Sequence, residues 1–399
     1  MNILYIHQYF LTPQEPGGTR SYWLAQELIK NGHKVTMLTS SSKFSEDIKN
    51  INIDGIEVIY IKEDYDQNMS VAQRLKAFLK FMYKSSLIGL KQKNIDLVIA
   101  TSTPLTIGIP ALVLKWMKKK PFIFEVRDLW PEVPIQMGAI KNQWIIKMTR
   151  GLEKTIYKNA THVIALSPGM QEGVIRYIGK EKTTMIPNMA KMDEFWPREK
   201  NNELINKLGL KQESFKVVHF GSLGLANGAQ TIIESAKLLN DRDDVEFLFV
   251  GGGSTEKTLI EEVEKNNLKN VKFLGKFPMK DVSEIVNFSD VSIISFLDLP
   301  ILYTNSPNKL FDSLSAGKPI IVNSAGWTKD IAEKYNCGYY VDPNRPQELV
   351  EKILHLQNHP DLVREMGSNS RRLAETIYDK SILCKQFVDV IEEKSGNHK

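Results

Sequence analysis

The sequence predicts an α/β protein of two doubly wound parallel-sheet domains facing each other across a cleft. Three observations predict it. Short apolar runs alternate with helical stretches from end to end, a proline-bearing polar break interrupts the alternation near the middle, and the alternation then starts afresh. The length of 399 residues suits two domains of roughly 100–200 residues each. With 42% hydrophobic and 25% charged residues the chain can bury ordinary cores, which excludes a disordered, collagenous or disulfide-framework protein. Two cysteines, Cys337 and Cys384, are too few for a disulfide scaffold or a four-thiolate zinc site and suit a reducing cytosol.

Residues 2–6 make the first apolar run. A loop through Gly17 and Gly18 follows, then a helix from about residue 19 with an apolar face of Tyr22, Ala25, Leu28 and Ile29, closed by Gly32. Runs at 35–38, 95–100, 122–126 and 162–166 continue the pattern. The break reaches from Ile186-Pro187-Asn188 to Trp196-Pro197-Arg198 and the polar stretch 199–202. It gives an N-terminal domain of 1–190 and a C-terminal domain of 191–377, with a last helix at about 378–399 that can pack back onto the first domain. Runs at 217–220, 246–250, 271–274, 291–295, 320–322 and 338–341 supply the second sheet. The chain opens without the basic segment or cleavage site of a secretory signal, and the apolar stretch 97–114 is broken by polar residues and prolines, as a strand, loop and helix would be.

Charge is uneven. Residues 1–200 carry 28 Lys and Arg against 19 Asp and Glu, whereas 201–399 carry 24 against 28. That asymmetry points the first half toward an anionic surface, nucleic acid or membrane phosphate. Arg74, Lys76, Lys80 and Lys84 alternate with Leu75, Phe78, Leu79 and Phe81, and Trp116 stands among Lys115, Lys118, Lys119 and Lys120. Such stretches are either interfacial helices or core-facing helices with a solvated side.

In open α/β sheets ligands bind beyond the carboxyl ends of the strands, so the residues just after each strand carry the functional expectation. Gly221-Ser222-Leu223-Gly224 with Asn227, and then Gly251-Gly252-Gly253, follow two second-half strands. Loops of this kind either cradle a phosphate with backbone N–H groups or make a tight turn into a helix. Ser306 reads as an N-cap and Pro307 as the first residue of the next helix. Lys309 then opposes the helix dipole, a conflict that an anion relieves and a solvated lysine tolerates. In the first half Glu125, Arg127 and Asp128 crowd one strand end beside Trp130, as a working cluster or as a structural pairing of Arg127 with a carboxylate. Gly17-Gly18-Thr19-Arg20 is the other phosphate candidate there. His7 ends the first strand and His219, inside a strand, reads as a satisfied core residue. A nicotinamide dehydrogenase and a P-loop ATPase are excluded by their missing glycine motifs, and no histidine or cysteine cluster suggests a metal.

Taken in order, Gly17-Gly18-Thr19-Arg20, Asn31-Gly32-His33-Lys34-Val35, Glu125-Val126-Arg127-Asp128-Leu129-Trp130-Pro131, Ala165-Leu166-Ser167-Pro168-Gly169-Met170, Ile186-Pro187-Asn188, Gly221-Ser222-Leu223-Gly224 and the block from Ser306 to Pro319 resemble the bacterial GT-B retaining glycosyltransferases of the glycosyltransferase family 4 type. The Arg127–Pro131 and Ser306–Phe311 segments look most like a subgroup that builds O-antigen and capsule repeats, including N-acetyl-L-fucosaminyl transferases. The resemblance implies two Rossmann-like domains, a UDP-sugar donor held mainly by the second, and a lipid-diphosphate-linked saccharide acceptor held by the first. It implies a cytoplasmic enzyme, peripheral on an anionic inner membrane face, with no cofactor or metal and no nucleic acid partner.

Residue by residue, the resemblance implies donor contacts from Gly17, Gly18, Arg20, Gly221, Ser222, Leu223, Gly224, Asn227, Gly251 and Gly252, with base recognition near Lys276 and Phe277. The block Thr304, Asn305, Ser306, Pro307 and Asn308 joins them. Asp312 falls where the family's second Glu binds ribose hydroxyls, and Thr304 where its first Glu stands. The family's diphosphate-clamping Arg and Lys fall near Ser222 and Asn227, so neither charge is present. Lys309, Arg127, Arg20 and the N–H groups at 308–309 are expected to take over that task, with Glu125 and Asp128 among the catalytic groups. Retention in this family is explained by same-face attack with the leaving phosphate as base, which needs no carboxylate pair of the retaining-glycosidase kind. A GT-B-fold nucleotide-sugar epimerase and a non-catalytic sugar-nucleotide or polyanion-binding module are the other readings.

Overall fold

Segments that are apolar at every position, such as Leu97–Thr101, become strands covered on both faces, the signature of a parallel sheet wrapped in helices. The computed structural model describes residues 1–15, 17–63 and 69–396. The chain divides into two units. One comprises Met1–Gln14, Gly18–Pro187 and the chain from Ser381 on; the other comprises Glu15–Gly17 and Asn188–Lys380.

In the N-terminal unit the strands are β1 (Asn2–Ile6), β2 (Lys34–Ser41), β3 (Ile48–Ile53), β4 (Ile56–Lys62), β5 (Leu97–Thr101), β6 (Phe122–Val126), β7 (His162–Ala165) and β8 (Thr183–Met185). Among the described residues they form one eight-stranded sheet in the order β3-β4-β2-β1-β5-β6-β7-β8. All neighbours are parallel except β3 and β4, where the expectation of strands joined only by helices fails. Asp54 and Gly55 both adopt positive φ, 49° and 89°, and this turn folds residues 48–62 into an antiparallel hairpin. The β3 edge alternates exposed and half-buried positions, so it has little of the apolar signal that marks the inner strands.

Helix Val71–Lys91 starts at a capping box in which Ser70 and Gln73 satisfy each other's backbone N–H groups. Helix Pro168–Ile178 starts with Ser167 as N-cap and proline at its first position. The last helix, Lys380–Gly396, contributes Glu392, whose carboxylate lies 3.0 Å from His33 Nε2. Among the described residues no helix is long and apolar enough to cross a membrane.

The C-terminal unit holds β9 (Phe215–Ser222), β10 (Val245–Gly252), β11 (Val271–Gly275), β12 (Val291–Ile294), β13 (Ile320–Val322) and β14 (Gly338–Tyr340). They form a parallel sheet in the order β11-β10-β9-β12-β13-β14. Alternate residues of β9 and β10 feed two cores. Val217, Phe247 and Phe249 pack with Ile233, Leu259 and Ile353 on one face, while Val218, Phe220, Leu248 and Val250 pack with Phe195, Val286 and Phe288 on the other. Two covered faces fix the register of every strand, and with it the loops at the carboxyl ends.

Candidate functional site

In the C-terminal unit β9 ends in Gly221 and Ser222, and β10, its parallel neighbour, ends in Gly251 and Gly252. The backbones of the two loops touch. Gly251 has φ +130°, and a Cβ there would lie 1.9 Å from the Gly221 carbonyl oxygen, so close backbone packing is what this glycine provides. Leu223 is fully buried in the core, its N–H bonded to the Gly252 carbonyl and its own carbonyl accepting from Thr255. Its side chain is therefore support rather than ligand contact. Ser222 Oγ and Asn227 border Gly224.

Helix Asn308–Ser315 brings Lys309 up to these loops. Its stem packs beside the exposed Gly221, 3.7 Å from where a Cβ would stand. Its amine donates to Asn227 Oδ1 at 3.1 Å and lies 3.4 Å from His219 Nε2. Lys309 is only 8% exposed, and among the described residues no carboxylate lies within ion-pair distance of it. Burial accordingly pulls its amine down to about 7. Burial, and then the charge of Lys309, hold the His219 imidazole well below its ordinary value. His219, read from sequence as a satisfied core residue, is thus a neutral neighbour of a buried amine.

The start of this helix also differs from expectation. Pro307, extended at φ −76° and ψ 135°, occupies the N-cap position and Asn308 is the first helical residue. The Ser306 hydroxyl instead accepts from the Asn188 N–H at 3.2 Å, and Asn188 Nδ2 donates to the Ser306 carbonyl at 2.6 Å. Thr304 Oγ1 donates to the Ile301 carbonyl, and Asn305 N–H to the Leu302 carbonyl, so both belong to the turn that presents the helix. Asp312 lies on the same helix, 4% exposed, with Lys191 Nζ 3.4 Å away and Glu194 bonded to that amine at 2.7 Å. Burial pushes the Asp312 carboxyl up to about 6, the Lys191 charge opposing. Nothing in the sequence around Lys191 singles it out; only the fold brings it to Asp312. Lys276 is exposed, with its stem and the Glu256 carboxylate flanking Gly252, while Phe277 packs against the core.

In the N-terminal unit two expected site residues are committed elsewhere. Arg20 is 2% exposed and all three of its side-chain nitrogens are engaged: Nε with Glu125 Oε1 at 2.8 Å, Nη2 with the Ile186 carbonyl at 2.9 Å, and Nη1 with the Pro187 carbonyl. Glu125, fully buried, also accepts from Thr101 Oγ1 at 2.7 Å. Burial alone would raise its carboxyl, but Arg20 and Arg127 together leave it below the usual range. A guanidinium this deeply buried, with each nitrogen already bonded within its own unit, is poorly placed to clamp a diphosphate, and a carboxylate sealed in a core cannot touch substrate. Arg20 and Glu125 are a structural brace, a correction to the expectation for both. Gly17, at φ +143°, and Gly18 lie in the loop ahead of the helix that carries Arg20.

Of the two readings of this strand end, the structural pairing of Arg127 with a carboxylate is not formed among the described residues. Its Nη1 donates to His7 Nε2 at 3.1 Å, and its backbone N–H is held by Ser102 Oγ. Burial and the Arg127 charge keep His7 neutral, so the imidazole steadies the guanidinium without cancelling it. Asp128 accepts from Thr103 Oγ1 at 2.8 Å, and burial raises its carboxyl. His7, Ser102, Arg127 and Asp128 follow the ends of β1, β5 and β6, adjacent in the sheet. Among the described residues no group of three or more His, Cys, Asp or Glu could hold a metal ion.

Two parallel sheets, each wrapped in helices within its own unit, are the architecture of the GT-B fold. A model for "Glycosyl transferase 4-like domain" matches residues 17–189 and one for "Glycosyl transferases group 1" matches residues 200–373. The chain belongs to the group 1, family 4-like glycosyltransferases. It is 28% identical over 180 residues to an uncharacterized glycosyltransferase of Methanocaldococcus jannaschii, covering 44% of this chain and 50% of that protein. It is 24% identical over 256 residues to a putative teichuronic acid biosynthesis glycosyltransferase of Bacillus subtilis, covering 63% of this chain and 62% of that protein. The chain thus spans half to under two thirds of the length of these relatives. Among solved structures it matches sucrose-phosphate synthase from Thermosynechococcus elongatus with TM-score 0.77 at 18% identity, covering 98% of both chains. It matches Anabaena HepE, solved in complex with UDP and glucose, with TM-score 0.71 at 18% identity over 98% of this chain and 99% of that one. At such identity these structures speak for the fold alone.

Proposed function

We propose that this chain is a retaining glycosyltransferase that moves an N-acetylated hexosamine, as the N-acetyl-L-fucosaminyl transferases do, from a UDP-sugar to a lipid-linked glycan in bacterial surface-polysaccharide assembly. The observation that carries this reading is Lys309. A buried amine with only neutral partners, beside an exposed glycine at the carboxyl end of a parallel sheet, is short of one anion. A diphosphate supplies that anion. As the sugar leaves, charge grows on the diphosphate, and a fixed ammonium together with the N–H groups opening helix Asn308–Ser315 stabilises it most when it is greatest. The Lys309 amine bonds Asn227, the position where the family resemblance puts a lysine, so the charge reaches the same neighbourhood from another element. Asp312 is assigned to the ribose, and Arg127 with Asp128 to the sugar and the acceptor hydroxyl. This charge makes a divalent cation dispensable.

The teichuronic acid relative supports a polysaccharide product. The excess of basic residues in the first half supports an enzyme peripheral on the anionic inner leaflet, where a lipid-diphosphate acceptor resides. The test has two stages. UDP and UDP-sugars, and not other nucleotides, should raise the melting temperature. UDP release from a UDP-N-acetylhexosamine should then require an added lipid-diphosphate saccharide. Release without acceptor, or a preference for another nucleotide, defeats the proposal.

A further inference from the structure

In the C-terminal unit helix Trp327–Lys334 borders a cleft of about 460 Å³, within the ~300–1,000 Å³ range of small-molecule sites. Trp327, Asp330, Ile331 and Lys334 recur along one face of that helix and form one wall. Glu333, Tyr335 and Tyr378 complete the lining. Three aromatic rings thus share one cleft with two carboxylates and an ammonium, and none of these groups has a part in the donor site. Two of the rings are anchored from within the unit. Phe311 meets Tyr378 edge to face at 5.1 Å and Trp327 at 6.0 Å, and Trp327 meets Tyr378 edge to face at 6.2 Å. Phe311 is fully buried and belongs to helix Asn308–Ser315. It stands two residues on from Lys309 and nearly opposite it around the helix, so the cleft lies behind the donor helix rather than beside Lys309. Tyr378 is held by its backbone too, its carbonyl accepting from the Ala190 N–H at 2.7 Å.

The chemistry of the lining selects the ligand. Asp330 and Glu333 are exposed, and among the described residues neither forms an ion pair. Carboxylates are acceptors only, whereas the Lys334 ammonium and the Trp327 indole are donors only. A ligand that answers both needs groups that donate and accept at the same atom, as hydroxyls do. The aromatic faces cover apolar surface between such hydroxyls. A sugar ring has both parts. A cation also suits aromatic rings and carboxylates. Here, however, the Lys334 ammonium already stands 5.2 Å from the centre of the Tyr335 ring, so that ring is taken and a second cation is repelled. An anion would meet two carboxylates. A neutral sugar meets no such conflict.

We propose that this cleft is a second saccharide-binding site, which takes a neutral sugar unit of a glycan apart from the donor and acceptor subsites. Such a site goes beyond the transfer reaction and does not depend on UDP as the donor nucleotide. The test titrates the full chain with triacetylchitotriose and with maltotriose, followed by saturation-transfer NMR and calorimetry. At least one of the two trisaccharides should bind. Combined Asp330→Asn and Glu333→Gln substitution keeps shape at two exposed positions and should weaken that binding by about tenfold. The same double variant should keep the parental melting temperature, with and without UDP. Arg127→Ala, in the N-terminal unit, should leave trisaccharide binding unchanged, which separates the cleft from the acceptor subsite. Four results each overturn the proposal: binding unaltered in the double variant, binding lost with Arg127→Ala, no binding of either trisaccharide, or binding of choline in their place.

Discussion

At the scale of one residue, the protonation state of Lys309 is the lever. Its amine titrates near 7 in the free protein because burial opposes the charge and nothing nearby offsets it. Only the ammonium can answer a diphosphate. Hence kcat/KM for the donor should fall as pH rises through about 7, while kcat, reporting the donor complex, should hold to higher pH because the bound diphosphate raises the lysine's affinity for its proton. Lys309→Arg should flatten that limb, since guanidinium stays charged, and Lys309→Ala should lower kcat by about 10²-fold or more. An alanine variant with near-parental turnover and an unchanged pH profile would take Lys309 out of the chemistry. Stability should move the other way. The folded-state value lies below that of the unfolded chain, so the unfolded state holds the extra proton between about pH 7 and 10.5, and stability rises with pH across that window. Below it the cost of burying the charge is felt in full. Lys309→Met should therefore gain on the order of 2 kcal/mol in urea unfolding at pH 6 and lose this pH dependence.

At the scale of elements, the Arg20–Glu125 brace ties the helix after the glycine loop to the end of β6 and to the carbonyls of 186 and 187. Arg20→Ala leaves a buried carboxylate alone and should cost about 3–5 kcal/mol in denaturant unfolding. Turnover per folded molecule should change far less. A variant as stable as the parent but catalytically dead would restore Arg20 to the chemistry. This pair also marks the limit of reading a sequence. A glycine-rich loop with an arginine and a strand end with three charges were both visible as candidates. Their mutual commitment was not, because it depends on a contact between residues 105 apart in the chain. The inner strands were legible from their unbroken apolar runs, whereas β3, reading Ile-Lys-Asn-Ile-Asn-Ile, gave no such run and its hairpin rests on the positive φ of Asp54 and Gly55. The anomaly of Lys309 was legible as a cation in a first helical turn. Its neutral partners His219 and Asn227 emerged only once β9 and the helix met. Gly251 makes a second test at this scale, since Gly251→Ala would drive a methyl into the Gly221 carbonyl and should weaken UDP binding along with stability.

At the scale of the whole molecule, two sheets with separate covering helices give the chain two units, and the proposed donor site lies wholly in the one that comprises Asn188–Lys380. Binding to a folded unit stabilises it by about 2.7 kcal/mol when the ligand stands at 100 times its Kd, which is close to a hundredfold slowing of any exchange that requires that unit to open. Amide hydrogen exchange with saturating UDP should therefore show slowing of this order in the slowest amides of β9, β10 and β12, whose core is shared with the loop that carries Gly221. The slowest amides of β1, β5 and β6 belong to the other unit and should be little affected, because UDP alone offers nothing to Arg127 or Asp128 under the division of labour proposed. Equal slowing in both sheets would mean that the units open as one cooperative body. Slowing confined to β1, β5 and β6 would move the nucleotide to the N-terminal unit and reverse the assignment of Lys309.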